Sequence, residues 1–78
     1  MSFPTKETVA MLRRRYPAGT LVVLEQMDDP YTRLRPGDRG EVELVDDAGG
    51  IHIAWENGEG LAAIWGKDSI RKVGEGEK

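Results

Sequence analysis

Cysteine is absent from this 78-residue chain, and histidine occurs only once, as His52. The lack of cysteine excludes a disulfide framework and any zinc site built on thiolates. A single histidine excludes a multi-histidine metal site, and without cysteine a Cys–His catalytic pair has no candidate nucleophile. Long apolar runs are also missing, since none approaches the roughly 18 residues that a membrane span needs. We therefore expect a cytoplasmic, non-enzymatic protein with no cofactor, metal or membrane segment.

Aromatic residues are few, at two tryptophans, two tyrosines and one phenylalanine, and positive charge is in the minority. The formal net charge is −3 at pH 7, and the pI is about 5.1. Because general binding to nucleic acids depends on clustered positive charge, this balance disfavours it. A chain of this length has room for one thin core. The composition favours a single globular domain whose partner is a protein.

The first segment has apolar residues at helical spacing, namely Val9, Leu12 and Tyr16. This spacing predicts a helix over residues 5–16, with Thr5 as its N-cap and Pro17 closing it. Three arginines fall in the predicted last turn: Arg13, Arg14 and Arg15. There they would complement the helix dipole in solvent, with contact to a phosphate or an acidic partner as the alternative.

After Gly19 the apolar spacing changes to alternation, which predicts strands. Five short candidates follow: Thr20–Glu25, Gly40–Val45, Ile51–Trp55, Leu61–Trp65 and Ser69–Val73. Between them, Pro36–Gly37 fits a type II turn, and Asn57–Gly58 fits a two-residue hairpin with both residues at positive φ. The predicted fold class is mainly β, a small five-stranded SH3-like partly open barrel over residues 19–73 with one N-terminal helix packed on it. Residues 1–4 are expected to be a flexible N-terminus and residues 74–78 a disordered tail.

The barrel interior is predicted from the alternating aliphatic positions. These are Val22, Leu24, Val42, Leu44, Ile51, Ile53, Trp55, Leu61, Ala63 and Ile70. The apolar face of the helix is expected to cover one opening of the barrel.

A string of motifs resembles one small family. It consists of Pro17-Ala18-Gly19-Thr20, Met27-Asp28-Asp29-Pro30-Tyr31-Thr32, Leu34, Pro36-Gly37, Gly40, Val45-Asp46-Asp47, Ile51-His52, Trp55 and Asn57-Gly58. From about Leu12 to Val73 the chain is similar to domain-of-unknown-function family 4314, uncharacterised proteins or modules of bacteria, phages and integrative elements. The resemblance implies a fold and a habitat but no activity. Leu21, Val23 and Trp65 depart from the family pattern toward an apolar surface, which predicts a contact patch and leaves a monomer and a weak homodimer both open.

The long connection from Gln26 to Pro36 is the main functional candidate, because long loops on compact barrels often carry function. Together with an outward-facing His52 and the aromatic Trp65, it predicts a surface for a protein partner. The residues of this surface are Met27, Asp28, Asp29, Tyr31, Arg33, Arg35, His52 and Trp65. Alternatives stay open for most of them: an Asx-type turn or a metal site for Asp28 and Asp29, packing for the two aromatics, and cross-strand hydrogen bonding for His52.

Two other functions remain open. A nucleic-acid-binding module would use arginines as phosphate contacts and would need them on one face: Arg13, Arg14, Arg15, Arg33, Arg35, Arg39 and Arg71. The habitat implied by the resemblance suggests an accessory protein of a phage or mobile element that inhibits a host defence enzyme.

Overall fold

The computed structural model describes residues 5–27 and 32–73. In chain order its elements are α1 (Lys6–Arg15), β1 (Leu21–Gln26), β2 (Arg39–Val45), β3 (Gly50–Trp55), β4 (Ala63–Ile64) and β5 (Ser69–Lys72). The predicted mainly β class, with five strands and one N-terminal helix, is confirmed. The predicted flexible N-terminus and disordered tail lie outside the described residues. Within the described part, no helix has the length and apolar character to cross a membrane.

Helix α1 begins and ends where its capping residues predict. Thr5 Oγ1 accepts a 3.1 Å hydrogen bond from the backbone N–H of Thr8, which satisfies one of the amides that a helix start leaves unbonded. At the other end, the backbone N–H of Tyr16 donates to Leu12 O at 2.7 Å. Leu12 and Tyr16 are buried together with Val9. The apolar face of the helix therefore packs against the sheet, as expected.

The strands form one sheet in the order β4-β3-β2-β1-β5. Each hydrogen-bonded pair in this order is antiparallel. The two edge strands, β4 and β5, come near each other without forming a ladder. The sheet is therefore a partly open structure with a gap between β4 and β5.

The core lies between α1 and the inner face of the sheet. Most predicted interior positions are buried: Val22, Leu24, Val42, Ile51, Ile53, Trp55 and Ala63. Leu61 and Ile70 are partly buried against this cluster. The indole N–H of Trp55 donates to Leu61 O at 2.8 Å, so this buried ring also has its polar atom satisfied. The prediction that Trp55 is a core residue is confirmed.

Leu44 is the predicted interior residue that the structure places on the outside. In the register of β2 with β3, Val42 lies opposite Ile53, but Leu44 already lies opposite His52, so β2 contains an extra residue. This β-bulge reverses the alternation beyond it. Leu44 is 52% exposed on the face away from the core, which we call the outer face, while Val45 is buried at 5% exposure in its place.

Of the two turns whose type was predicted from the sequence, one has the predicted geometry and the other does not. Gly37 has φ +100° and the N–H of Asp38 donates to Arg35 O at 3.0 Å, as in the predicted type II turn. The prediction of a two-residue hairpin at Asn57–Gly58 is wrong, because Gly58 has a positive φ, at +93°, and Asn57 does not. Instead, Trp55 N–H donates to Glu59 O at 3.0 Å around a three-residue loop whose glycine takes the left-handed position.

Candidate functional site

The gap between β4 and β5 forms a groove of about 410 Å³, which we call the edge groove. Its floor contains side chains that also belong to the core or pack against it, namely Ile51, Ala63 and Ile70. Its walls include Trp65 and the turn over residues 66–68. Because the sheet does not close here, the groove lies directly over part of the core.

Trp65 is positioned at the rim of the edge groove by its backbone. Its N–H donates to Gly49 O at 3.4 Å, which ties it to the β2–β3 hairpin. Gly66 follows with φ +94°, a conformation that glycine adopts without strain, and the chain turns sharply toward β5. The Trp65 side chain is 45% exposed, an unusual degree for so large an apolar group. The sequence left binding and packing open for Trp65, and its exposed position makes it available for contact.

The turn beside Trp65 is held by one carboxylate. Asp68 Oδ2 accepts the backbone N–H of Ile64 at 2.8 Å. In return, Ile64 O accepts the N–H of Lys67 at 3.0 Å and the N–H of Asp68 at 2.9 Å. The backbone of β4 that faces the gap is thus hydrogen-bonded within its own turn. No sequence motif singled out Lys67 or Asp68; the glycine after Trp65 is the signal that could have located this turn.

The predicted loop surface is only partly described, because Asp28, Asp29 and Tyr31 lie outside the described residues. Met27 packs partly buried against the core. Arg33 and Arg35 are exposed, and their backbones are fixed to other turns. The N–H of Arg33 donates to Glu59 Oε2 at 3.2 Å, and that of Arg35 to Asp38 Oδ2 at 2.9 Å.

His52 faces outward from β3, as predicted, and takes part in a network with the β2–β3 hairpin. Its Nε2 lies 2.8 Å from Asp46 Oδ2, and since an ionised carboxylate only accepts, the imidazole donates. Asp46 Oδ1 accepts the backbone N–H groups of Ala48 and Gly50, at 2.9 and 2.8 Å. The His52 hydrogen bond, followed by the Gly50 N–H, lowers the pKa of Asp46. Asp46 therefore stabilises the turn between β2 and β3 through its side chain.

The predicted partner residues therefore do not form one continuous site in the structure. His52 and Trp65 both contact the β2–β3 hairpin, whereas Arg33 and Arg35 are bonded to the β3–β4 hairpin and to the turn before β2. The edge groove contains Trp65 from the predicted set, together with residues that the sequence did not single out.

The arginines proposed as nucleic-acid contacts are spread over several elements, and some have acidic partners. Arg13 donates from Nη2 to Asp47 Oδ1 at 2.8 Å and from Nε to Val45 O at 3.1 Å, so it fastens α1 to the β2–β3 hairpin. Arg15 donates to the Tyr16 hydroxyl and lies over its ring. Arg14 is exposed on the helix. Arg71 lies 3.5 Å from Glu25 on the outer face, where Arg39 also lies.

The apolar patch predicted from Leu21, Val23 and Trp65 is not found as one surface. Val23 is only 5% exposed, because it lies between its cross-strand neighbours Arg39 and Arg71, whose long aliphatic stems can cover it. Leu21 is exposed on the outer face, beside a smaller groove of about 200 Å³, and Trp65 lies at the edge groove.

Metal chemistry has no cluster to support it in the described part of the chain. Residues 5–27 and 32–73 contain no group of three or more His, Asp or Glu side chains arranged to hold a metal ion. Asp46 and Asp47 do not converge, since Asp46 binds its own turn and His52 while Asp47 pairs with Arg13.

Comparison with known proteins gives a family match. A family model described as "Domain of unknown function (DUF4314)" matches residues 5–73, most of the chain. No curated protein and no solved structure matches.

Proposed function

The chain belongs to the DUF4314 family, to which no activity is attached, and on that premise we propose that it is a non-enzymatic interaction module that binds a protein partner in the edge groove. The observation that carries the proposal is a groove floored by Ile51, Ala63 and Ile70 with a 45% exposed Trp65 at its rim. An apolar side chain of a partner would be buried there between the floor of the groove and the Trp65 ring.

A contact in this groove would add favourable binding free energy from apolar burial. Burying one Leu, Ile or Val side chain contributes about 1.5–3 kcal/mol. An aromatic ring adds a large contact area at a small cost in side-chain entropy, which is why tryptophan is frequent among residues that dominate binding energy. The groove volume of about 410 Å³ accommodates one or two side chains of a partner segment.

A protein partner fits the described surface better than a nucleic acid does. The chain is acidic overall, and Arg13 and Arg71 already contact Asp47 and Glu25. Stacking and phosphate contacts would need exposed arginines beside Trp65. Among the described residues that line the groove, Lys67 is the one cation.

The proposal also includes a cytoplasmic location and an origin in phages or mobile elements. The absence of cysteine fits the reducing cytoplasm. The family resemblance suggests phages and mobile elements, where an accessory protein that docks onto a host defence enzyme needs a binding surface and no catalytic group.

Selection from a displayed library of random twelve-residue peptides, with the immobilised protein as bait, tests this function. Peptides that bind the wild type should lose about tenfold or more in affinity for Trp65→Ala, since one well-packed aromatic contact contributes at least about 1.4 kcal/mol. Leu44→Ala is the matched control, because Leu44 is an equally exposed apolar residue on the outer face. Circular dichroism should show both variants folded.

Three outcomes would count against the proposal. Selected peptides could bind Trp65→Ala as well as the wild type, or no peptide could be selected at all. The protein could instead bind duplex or single-stranded DNA with an affinity that falls steeply with salt, which would indicate the nucleic-acid function.

A further inference from the structure

Strand β5 has one edge whose backbone groups meet no other part of the described chain. Val73 N–H donates to Leu21 O at 2.9 Å, and Val23 lies opposite Arg71 in the same register. Because bonded and non-bonded pairs alternate in an antiparallel ladder, Arg71 bonds to β1 while Ile70 and Lys72 direct their N–H and C=O groups away from it. In residues 5–27 and 32–73 no hydrogen-bonding group meets the backbone of Ile70 or Lys72.

The opposite side of the gap differs from β5. Trp65 N–H bonds toward β3, and by the same alternation the backbone groups of Ile64 point into the gap. Those groups are occupied by the turn, since Asp68 accepts the Ile64 N–H and Ile64 O accepts two amides. Within the part of the chain that the structure describes, the sheet thus has one edge closed by its own turn and one edge, at β5, open beside the edge groove.

We propose that the partner segment bound in the edge groove is an extended, acidic strand that pairs with the open edge of β5. This inference rests on the proposed function and specifies how the groove is used. The added strand would hydrogen-bond to Ile70 and Lys72, and every second side chain would point inward over the groove floor. Main-chain hydrogen bonds would supply affinity, and the apolar floor would select the inward side chains.

The charge at this edge indicates an acidic partner. Lys67 and Lys72 lie beside and on β5, whereas Arg71 lies on the outer face and is paired with Glu25. Asp68, the carboxylate among the described groove-lining residues, accepts the backbone N–H of Ile64. Opposite charges on neighbouring strands are stabilising and like charges are destabilising. A second copy of β5 is therefore a poor occupant, because antiparallel pairing would place Arg71 and Lys72 near the same two residues of the other copy. Cationic side chains on an edge strand commonly prevent this self-pairing.

The test uses a synthetic eight-residue peptide in which valine alternates with glutamate, capped at both ends, and a second peptide with lysine in place of glutamate. Backbone amide NMR spectra of the ¹⁵N-labelled protein report both affinity and position. The glutamate peptide should shift the amide signals of Ile70 and Lys72. The lysine peptide should bind about tenfold or more weakly, an effect that added salt reduces.

Two N-methylated forms of the glutamate peptide test strand pairing itself. Methylation of one alternate set of amides removes the N–H groups that face β5 and should weaken binding about tenfold, since the hydrogen bonds from these groups to β5 are lost. Methylation of the other set, which faces away from β5, should change affinity less than about threefold. A side chain held in a groove without strand pairing would not produce this alternation.

Variants of the protein complete the test. Lys72→Glu should weaken the glutamate peptide and strengthen the lysine peptide, whereas Lys6→Glu, an exposed lysine of α1, should do neither. If Trp65→Ala weakens binding but N-methylation shows no alternation, the groove function stands and strand addition is overturned. If alternation appears while Trp65→Ala has no effect, strand addition is supported and the role given to Trp65 fails. Signal changes confined to the outer face, or equal affinity for both peptides, would also overturn the inference.

Discussion

Gly40 is the position in the sheet where a single added methyl group should have the clearest effect. It lies buried in β2, directly opposite Trp55. A Cβ at this position would lie 2.5 Å from Ile53 Cγ2 and 3.0 Å from Trp55 Cε3. Carbon atoms in ordinary contact are about 3.5–4.0 Å apart, so Ile53 would have to move by about 1 Å. Ile53 is completely buried, and a close-packed core offers little space for that movement.

The magnitude for Gly40→Ala follows from two opposing effects. Overpacking a core by one carbon costs about 1–3 kcal/mol. Replacing glycine by alanine also restricts the unfolded chain, which stabilises by about 0.4–1 kcal/mol where the backbone permits it. The free energy of unfolding should therefore fall by about 1–2 kcal/mol. With a slope near 1 kcal/mol per molar urea for a domain of this size, the unfolding midpoint should fall by about 1–2 M.

Urea unfolding followed by tryptophan fluorescence measures this change. Gly60→Ala is the control, because its Cβ would meet no atom within 4 Å and its φ is not positive. Its midpoint should stay the same or rise slightly. If the Gly40→Ala and Gly60→Ala midpoints agree within error, the close packing inferred for β2 against β3 is refuted.

Two further predictions test the β2–β3 hairpin. Val45→Ala should lower the free energy of unfolding by about 1–3 kcal/mol while Leu44→Ala changes it by less than about 0.5 kcal/mol; the reverse order in urea unfolding would show that the bulge is absent. The pKa of Asp46 is lowered in the folded state from an ordinary value of 3.8, so its contribution to stability is complete above that value and is lost as the pH falls through the lowered one. Thermal unfolding of wild type and Asp46→Asn should therefore differ most above pH 4 and converge in stronger acid, and a constant difference at all pH values would contradict this assignment.

The helix, the strands and most of the core could be predicted because local chemistry and packing agree there. Thr5 is an effective N-cap and Val9 and Leu12 share one helical face, so the helix bounds followed from the sequence to within one residue. The strands at β1, β2 and β3 came from runs of branched and alternating residues. The weakest strand prediction was Leu61–Trp65, of which only Ala63–Ile64 forms a strand, since Leu61 O bonds to the Trp55 indole and Trp65 begins the next turn.

The errors arise where one residue changes the geometry of everything after it. The bulge between Val42 and Leu44 has no marker such as glycine, and alternation alone therefore placed Leu44 inside. At Asn57–Gly58 the dipeptide favours a two-residue turn, but the bonds of Trp55 with Gly58 and Glu59 select a longer loop. Val23 looked like a surface residue because its cross-strand neighbours, Arg39 and Arg71, are adjacent to it only after folding.

The candidate site was harder to predict than the fold. Trp65 was identified as an exposed aromatic, but the open edge of β5 depends on which strands remain unpaired, and no local pattern encodes that. The same holds for the charges at this edge, because Lys67 and Lys72 look like ordinary solvent-exposed residues until the sheet order places them beside a gap. Sequence reasoning therefore found one residue of the groove and missed the arrangement around it.

The register of β5 with β1 joins residues 22 and 72, which are far apart in the chain. Contacts between such distant segments require closure of a long loop and tend to form late. While the protein is being synthesised, α1 and the β2–β3 hairpin can assemble before β5 has left the ribosome. The edge groove needs β5 as one of its walls, so the binding site proposed here forms only once this late contact is made.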